Sequence, residues 1–158
     1  MTKKFNQYLG KAGHLAVMSE FLMLGWNVAI PEVDIGDDIF VVQDDNRTLR
    51  RVQVKTSTST QRHFGFSGQF SVSVKSLRNI SNILIHYVFT VRHNNEWSKP
   101  VVIRQDYLLD HVSNNGVGSE HSGNVIFYFS YSNSKVECSG QDFSRYISDF
   151  SQFPLIPH

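Results

Sequence analysis

Residues 31–57 read PEVDIGDDIFVVQDDNRTLRRVQVKTS. Two runs rich in Val, Ile and Phe or Thr flank the polar tetrapeptide Asp44-Asp45-Asn46-Arg47. Such runs suit a pleated, half-buried strand, and Asp and Asn suit the turn between them. The segment predicts a hairpin with one strand over 38–43 and the next over 48–56. In an antiparallel hairpin the start of the first strand lies beside the end of the second. Asp38 is thereby expected next to Gln53 and Lys55. Side chains alternate along a strand, so Gln53 and Lys55 share one face while Val52 and Val54 take the other.

That expected cluster has a definite chemistry. Asp38 offers an anionic oxygen, Gln53 an amide oxygen and Val54 a backbone carbonyl. These are the donors Mg²⁺ prefers, with water and substrate phosphate completing its shell. Lys55 beside them can orient or deprotonate a metal-bound water, or neutralise charge on an attacked phosphodiester. An aspartate cluster around Gly36 also describes a solvated turn, and Gln-x-Lys an exposed strand face. The residues alone leave both readings open.

Upstream, residues 5–24 predict an amphipathic helix. Phe5, Tyr8, Leu9, Ala12, Leu15, Ala16, Leu22 and Met23 recur at helical spacing, with Gln7, Lys11 and His14 between them. Gly10 and Gly13 weaken the helix intrinsically and imply a close packing partner. Gly25 is a natural stop, and 26–30 a short strand. Downstream, 57–68 reads as a loop or irregular hairpin and 69–74 as a strand. Ser76 is expected to cap one or two helical turns over 76–82. The nearly continuous apolar run 83–91 predicts a central strand, in which His86 reads as a satisfied core or sheet-face histidine. A strand over 97–103 broken by Pro100, a helix over 105–111, a mobile loop over 113–123, a strand over 125–131 and a terminal helix over 141–150 complete the expectation. No composition shift marks a boundary, so residues 1–158 are expected to form one domain. The order of elements reads as an α/β or α+β domain, with a mixed sheet flanked by the first helix on one face.

Composition excludes several classes of function. The formal charge is +1, so no global basic field advertises a polyanion partner. Arg47, Arg50, Arg51, Lys55, Arg62, Lys75 and Arg78 make 47–78 the most basic stretch, with Phe64, Phe66 and Phe70 interleaved. This suits nucleic acid, with Arg50, Arg51, Arg62, His63, Lys75 and Arg78 as the candidate contacts. A solvated basic face over core phenylalanines fits the same pattern. One cysteine, Cys138, precludes an internal disulfide and suits a cytoplasmic setting. The seven histidines form no zinc-binding pair. No G-x-S-x-G elbow appears, and no apolar run is long enough for a membrane span.

The hairpin segment resembles the PD-(D/E)XK nuclease superfamily, in the variant whose second motif carries glutamine. The residues that carry the likeness are Pro31, Asp34, Gly36, Asp38 and Ile39, then Val52, Gln53, Val54, Lys55, Thr56 and Ser57. Gly10, Gly13, Leu22, Gly25, Trp26 and Val28 extend it upstream. Holliday-junction resolvases and homing endonucleases belong to this group. The resemblance implies a restriction endonuclease-like fold with helices on both sides of the sheet. It implies Asp38 and Gln53 as ligands of Mg²⁺ or Mn²⁺, Lys55 as the catalytic lysine and Asp34 in support. Relatives often carry a glutamate where this chain has His14. Glu20, six residues on, is rotated by about −120° from that position, so His14 and Glu20 are both candidate helix contributors. The implied function is a metal-dependent endodeoxyribonuclease acting on DNA, with duplex cleavage favouring a homo-oligomer such as a dimer. The alternative is a catalytically inactive nuclease-like fold that binds nucleic acid or protein.

Overall fold

The computed structural model describes residues 2–33, 38–44 and 47–157. Helix α1 spans Lys3–Met23, opened by Thr2, whose hydroxyl accepts the Phe5 N–H at 3.3 Å. It closes at Gly25, whose φ of +85° suits glycine. The apolar residues that signal this helix in the sequence are not the ones that bury it. Gly13, Val17 and Phe21 face the core. Phe5, Tyr8, Leu15, Leu22 and Met23 remain 47–79% exposed. A glycine that brings two backbones together is a core residue, yet it contributes nothing to an apolar periodicity.

Strands β1 (Asn27–Ala29), β2 (Ile39–Gln43) and β3 (Thr48–Thr58) form an antiparallel meander. The expected hairpin is present, with Ile39 opposite Val52 and Gln43 opposite Thr48. The chain then leaves this sheet: β4 (Thr60–Arg62) and β5 (Gly65–Ser73) form a hairpin in a second sheet. Helix α2 (Val74–Arg78) follows, capped by Ser73 rather than Ser76; the Ser73 hydroxyl accepts the Ser76 N–H. Strand β6 (Ile85–His93) returns parallel to β3, and β7 (Glu96–Trp97) and β8 (Val101–Arg104), separated at Pro100, pair antiparallel with β6. Helix α3 (Gln105–Asn115) leads to β9 (Ser119–His121), β10 (Asn124–Ser132), β11 (Lys135–Cys138) and β12 (Gln141–Asp142).

The first sheet is therefore mixed, in the order β1-β2-β3-β6, with β7 and β8 on β6. The second is antiparallel, in the order β12-β11-β10-β5-β4, with β9 on β10. The expectation of helices on both faces of the first sheet holds only in part, because on one face strands share the covering with the helices. One face carries α1, over a core of Val17, Phe21, Trp26, Ile39, Val52, Val54 and Val88. The other face is covered by the second sheet, over Phe70, Tyr87, Phe89, Phe127 and Phe129, together with α2 through Leu77 and α3 through Leu108. The physical reason lies in the crossover from β3 to β6, which is built largely from alternating strand sequence, with α2 its only helical turn.

Two further expectations fail locally. Residues 113–123 are not a loop throughout. Helix α3 runs to Asn115 and ends at Gly116, φ +64°, and β9 then pairs with β10 through a two-residue turn at Ser122 and Gly123, both at positive φ. The terminal helix over 141–150 is replaced by β12 and a 3₁₀ turn at Ser144–Tyr146. Phe143 and Tyr146 enter the core between the sheets, while Phe150 and Phe153 enter the one beneath α1. One straight helix cannot serve two cores on opposite sides of a sheet.

His86 sits on β6 against Phe153, ring centroids 5.0 Å apart, and is 4% exposed. Among the described residues neither ring nitrogen has a hydrogen-bond partner. Burial, reinforced by the Arg50 charge, pushes its pKa down from 6.5 to about 4. A folded-state value below the unfolded one means that the unfolded chain takes up the proton first. Stability is therefore expected to fall as pH drops below about 6.5 and to level off below about 4. Urea unfolding of wild type and His86→Leu across that range checks this: the variant should show a shallower acid loss.

Candidate metal-binding site

The site begins where β2 parts from β3. The Asp38 N–H still donates to the Val52 carbonyl at 3.0 Å, extending the ladder by one bond. Beyond it the Asp38 side chain takes over: Oδ2 accepts the Val54 N–H at 2.6 Å. A carboxylate thus caps the edge of β3 where a neighbouring strand would continue. In an extended strand the N–H and C=O of one residue point to the same side. The Val54 carbonyl accordingly faces the Asp38 edge. The paired register ends at Ile39 and Val52, and Asp38 reaches β3 on either side of Gln53, at Val52 through its N–H and at Val54 through its carboxylate; Gln53 is 8% exposed. Gln53 and Lys55 lie on the face away from α1, beside Tyr87 and Phe89 of β6.

Helix α1 reaches the same edge through Gly13. A Cβ built there would lie 2.0 Å from Thr56 Cγ2 and 3.4 Å from Trp97. Only glycine lets the helix backbone rest on β3 at this height. The next residue, His14, consequently brings Nε2 to 3.6 Å from Asp38 Oδ2, with the two side chains 22% and 19% exposed. That distance exceeds a hydrogen bond and is close enough for an ion pair or a shared ligand. A depression of about 320 Å³ opens here, lined by Asn6, Gly10, Lys11, His14, Pro31 and Asp38. An adjoining cleft of about 470 Å³, which shares Asn6, runs between α1 and β5 past Thr56, Ser57, Gln69 and Ser71.

The structure brings His14, Asp38 and the Val54 peptide into contact, with Gln53 and Lys55 on the adjacent strand positions. It does not bring Glu20 there. Glu20 lines a separate depression with Ala16, Thr90, Trp97 and Lys99, as its rotation around the helix requires. Asp34, Gly36 and Asp37 lie outside the described residues. Among the described residues no group of three or more His, Cys, Asp or Glu gathers. Among the described residues the oxygens on β3 beside the Asp38 carboxylate are neutral, those of Gln53 and Val54.

The candidate nucleic-acid residues do not form one patch. Arg50 and Arg51 are successive in β3 and so take opposite faces. Arg51 donates to Ser81 Oγ at 2.9 Å and the Ile83 carbonyl at 3.3 Å. Arg62 donates to Ser67 Oγ at 2.8 Å, and Arg78 pairs with Glu120 at 2.7 Å. His63 sits at the tip of the β4–β5 hairpin against the exposed Phe64, and Lys75 lies in α2. Sequence reasoning passed over Asn6 and Lys11, which line the Asp38 depression. The signal was present: Lys4, Gln7, Lys11 and His14 fall at helical spacing on one face of α1.

No helix among the described residues is long and apolar enough to cross a membrane. No protein-family model matches the chain, and comparison with curated proteins gives no significant match. Among solved structures, the bacterial homing endonuclease I-Ssp6803I superposes with a TM-score of 0.56 at 17% identity, covering 92% of this chain and 88% of that one. Over nine-tenths of its length, then, this chain is similar in fold to a bacterial homing endonuclease.

Proposed function

We propose that this protein is a metal-dependent endodeoxyribonuclease of the restriction endonuclease-like, PD-(D/E)XK type. One observation carries the reading: the Asp38 carboxylate caps the β3 edge at Val54, with His14 at 3.6 Å. Gln53 and Lys55 flank Val54 on β3, and this sequence order, together with the Asp38–Val54 contact, supports the site that the resemblance implies. The fold similarity to a homing endonuclease supports it.

The donor set fits a divalent cation. Asp38, Gln53 and the Val54 carbonyl would hold Mg²⁺ or Mn²⁺ through oxygen, the ligand type both accept. When bound, the ion supplies Lewis acidity and lowers the pKa of its water. The residues themselves do the rest. Lys55 places a positive charge where a phosphodiester oxygen gains negative charge, and it orients the attacking water. His14, when neutral, accepts a proton from water in the depression. Hydrolysis breaks one P–O ester bond, and water supplies the new oxygen and the proton for the leaving oxygen. Lys11 and Asn6, lining the same depression, suit the flanking phosphates.

Removing the metal tests this. Supercoiled plasmid should convert to nicked circle in MgCl₂ or MnCl₂ and stay intact in EDTA, activity returning when metal is restored. Equal nicking with and without EDTA would sink the proposal. A second reading, a silent nuclease-like module that binds nucleic acid or protein, is favoured by His14 standing where the resemblance calls for an acid, and by the absence, among the described residues, of a group of three or more His, Cys, Asp or Glu. Its signature is DNA binding that no added divalent ion converts into cleavage.

A further inference from the structure

Helix α1 is apolar on two sides, and the fold uses one. Gly13, Val17 and Phe21 face the core. Roughly opposite, Phe5, Tyr8, Ala12, Leu15, Ser19 and Leu22 recur at alternating spacings of three and four and are exposed along the whole helix. At 1.5 Å per residue this stripe is about 26 Å long. Phe5, Tyr8, Leu15 and Leu22 are 47%, 66%, 55% and 53% exposed. Single exposed apolar residues need no explanation, but a continuous stripe along one helix marks a contact surface.

We infer that this stripe is a homodimer interface in which α1 packs antiparallel against α1 of a second copy. Three features of the chain select that occupant. The spacing is a heptad a/d seam sustained over nearly three heptads, the pattern of helix on helix. The seam is also complementary to itself. In an antiparallel two-fold arrangement centred between Gly13 and His14, Phe5 faces Leu22 of the second copy, Tyr8 faces Ser19, and Ala12 faces Leu15. The inner layers each set a large side chain against a small one, so the helices can approach closely without leaving a void. Charge agrees with the antiparallel sense. Lys3, Lys4 and Lys11 lie in the first half of α1 and its one acid, Glu20, in the second. Antiparallel packing sets the basic half of one helix beside the acidic half of the other and opposes the two macrodipoles; parallel packing aligns like charges. A closed two-fold contact of this kind buries the same patch on both copies.

The surface is independent of the metal-site reading, because none of its six residues belongs to that site. If that reading holds as well, dimerisation unites two such sites, as cutting both strands of a duplex requires.

Sedimentation equilibrium at tens of micromolar tests the interface. Wild type should sediment at twice the chain mass of 18.1 kDa. Leu15→Lys should sediment at the monomer mass, with its circular dichroism and melting temperature confirming that it folds. Ala12→Leu alone should weaken the dimer, because it sets two leucines in one layer. The double variant Ala12→Leu with Leu15→Ala exchanges the members of that layer and should restore the dimer. A monomeric wild type, a dimeric Leu15→Lys, or failure of the exchange to rescue would each overturn the inference. A monomer that floats with anionic phosphatidylserine vesicles would also overturn it, assigning the stripe to a membrane surface. Nicking activity plays no part in these readouts, so loss of the nuclease proposal would leave this one standing.

Discussion

Asp38→Asn is expected to lower Mg²⁺-dependent nicking by about 10²–10³-fold while leaving the fold intact. Asparagine keeps an oxygen that can accept the Val54 N–H, the 2.6 Å bond that closes the hairpin edge. The ladder bond from the residue 38 N–H to the Val52 carbonyl belongs to the backbone and also survives. What disappears is the negative charge. In the proposed site Gln53 and Val54 contribute only neutral oxygens, so cation affinity should depend on Asp38 more than on any other described residue. The measurement is the rate of supercoiled plasmid loss at saturating and limiting Mg²⁺, beside a thermal melt. Wild-type nicking by Asp38→Asn would refute the assignment of the site. A large fall in melting temperature would instead show that Asp38 is needed chiefly as a cap for β3. Lys55→Ala should leave metal affinity almost unchanged and lower the rate, since in the proposed mechanism the ammonium acts on the phosphate rather than on the cation.

The second large effect concerns the two glycines of α1, which should respond to alanine with opposite signs. At Gly10 a new Cβ meets nothing within 4 Å, so alanine gains helix propensity of about 1 kcal/mol. At Gly13 the same atom would sit 2.0 Å from Thr56 Cγ2, so the helix must lift from β3 or Thr56 must turn. Overpacking of this kind costs about 1–3 kcal/mol, which offsets and outweighs the propensity gain. Because His14 follows Gly13, lifting the helix also draws the imidazole away from Asp38. Urea unfolding of Gly10→Ala and Gly13→Ala gives the two signs directly. A double variant with Thr56→Ser, which deletes the clashing methyl, should recover most of the Gly13→Ala loss. Equal effects at the two glycines would show that α1 does not rest on β3 through Gly13.

Much of the site's backbone was legible in residues 31–57. Alternation along 48–56 and the turn residues at 44–47 specify a hairpin, and the hairpin brings Asp38 to the β3 edge at Val52 and Val54. These are local effects: strand propensity, turn chemistry and a two-residue period act between neighbours in the chain. The boundaries of α1 and the stop at Gly25 were legible for the same reason. Which face of α1 meets the sheet was not. The stronger apolar periodicity, through Phe5, Tyr8, Leu15 and Leu22, marks the outward face. The inward face is held by Gly13, Val17 and Phe21.

The sequence by itself determined the pieces: the hairpin, the identity and spacing of its polar residues, the long first helix and the central strand at 85–93. Tertiary structure decided how they meet. It added strands to the helices that cover the second face of the sheet, because the β3–β6 crossover largely alternates rather than repeating at helical spacing. It turned residues 141–150 into short extended and 3₁₀ pieces, because Phe143 and Phe153 belong to cores on opposite sides of the sheet. And it set His14 at 3.6 Å from Asp38, through a missing side chain at Gly13. Close approach depends on what the opposing surface presents, here the Thr56 methyl, and no pattern within one segment carries that information.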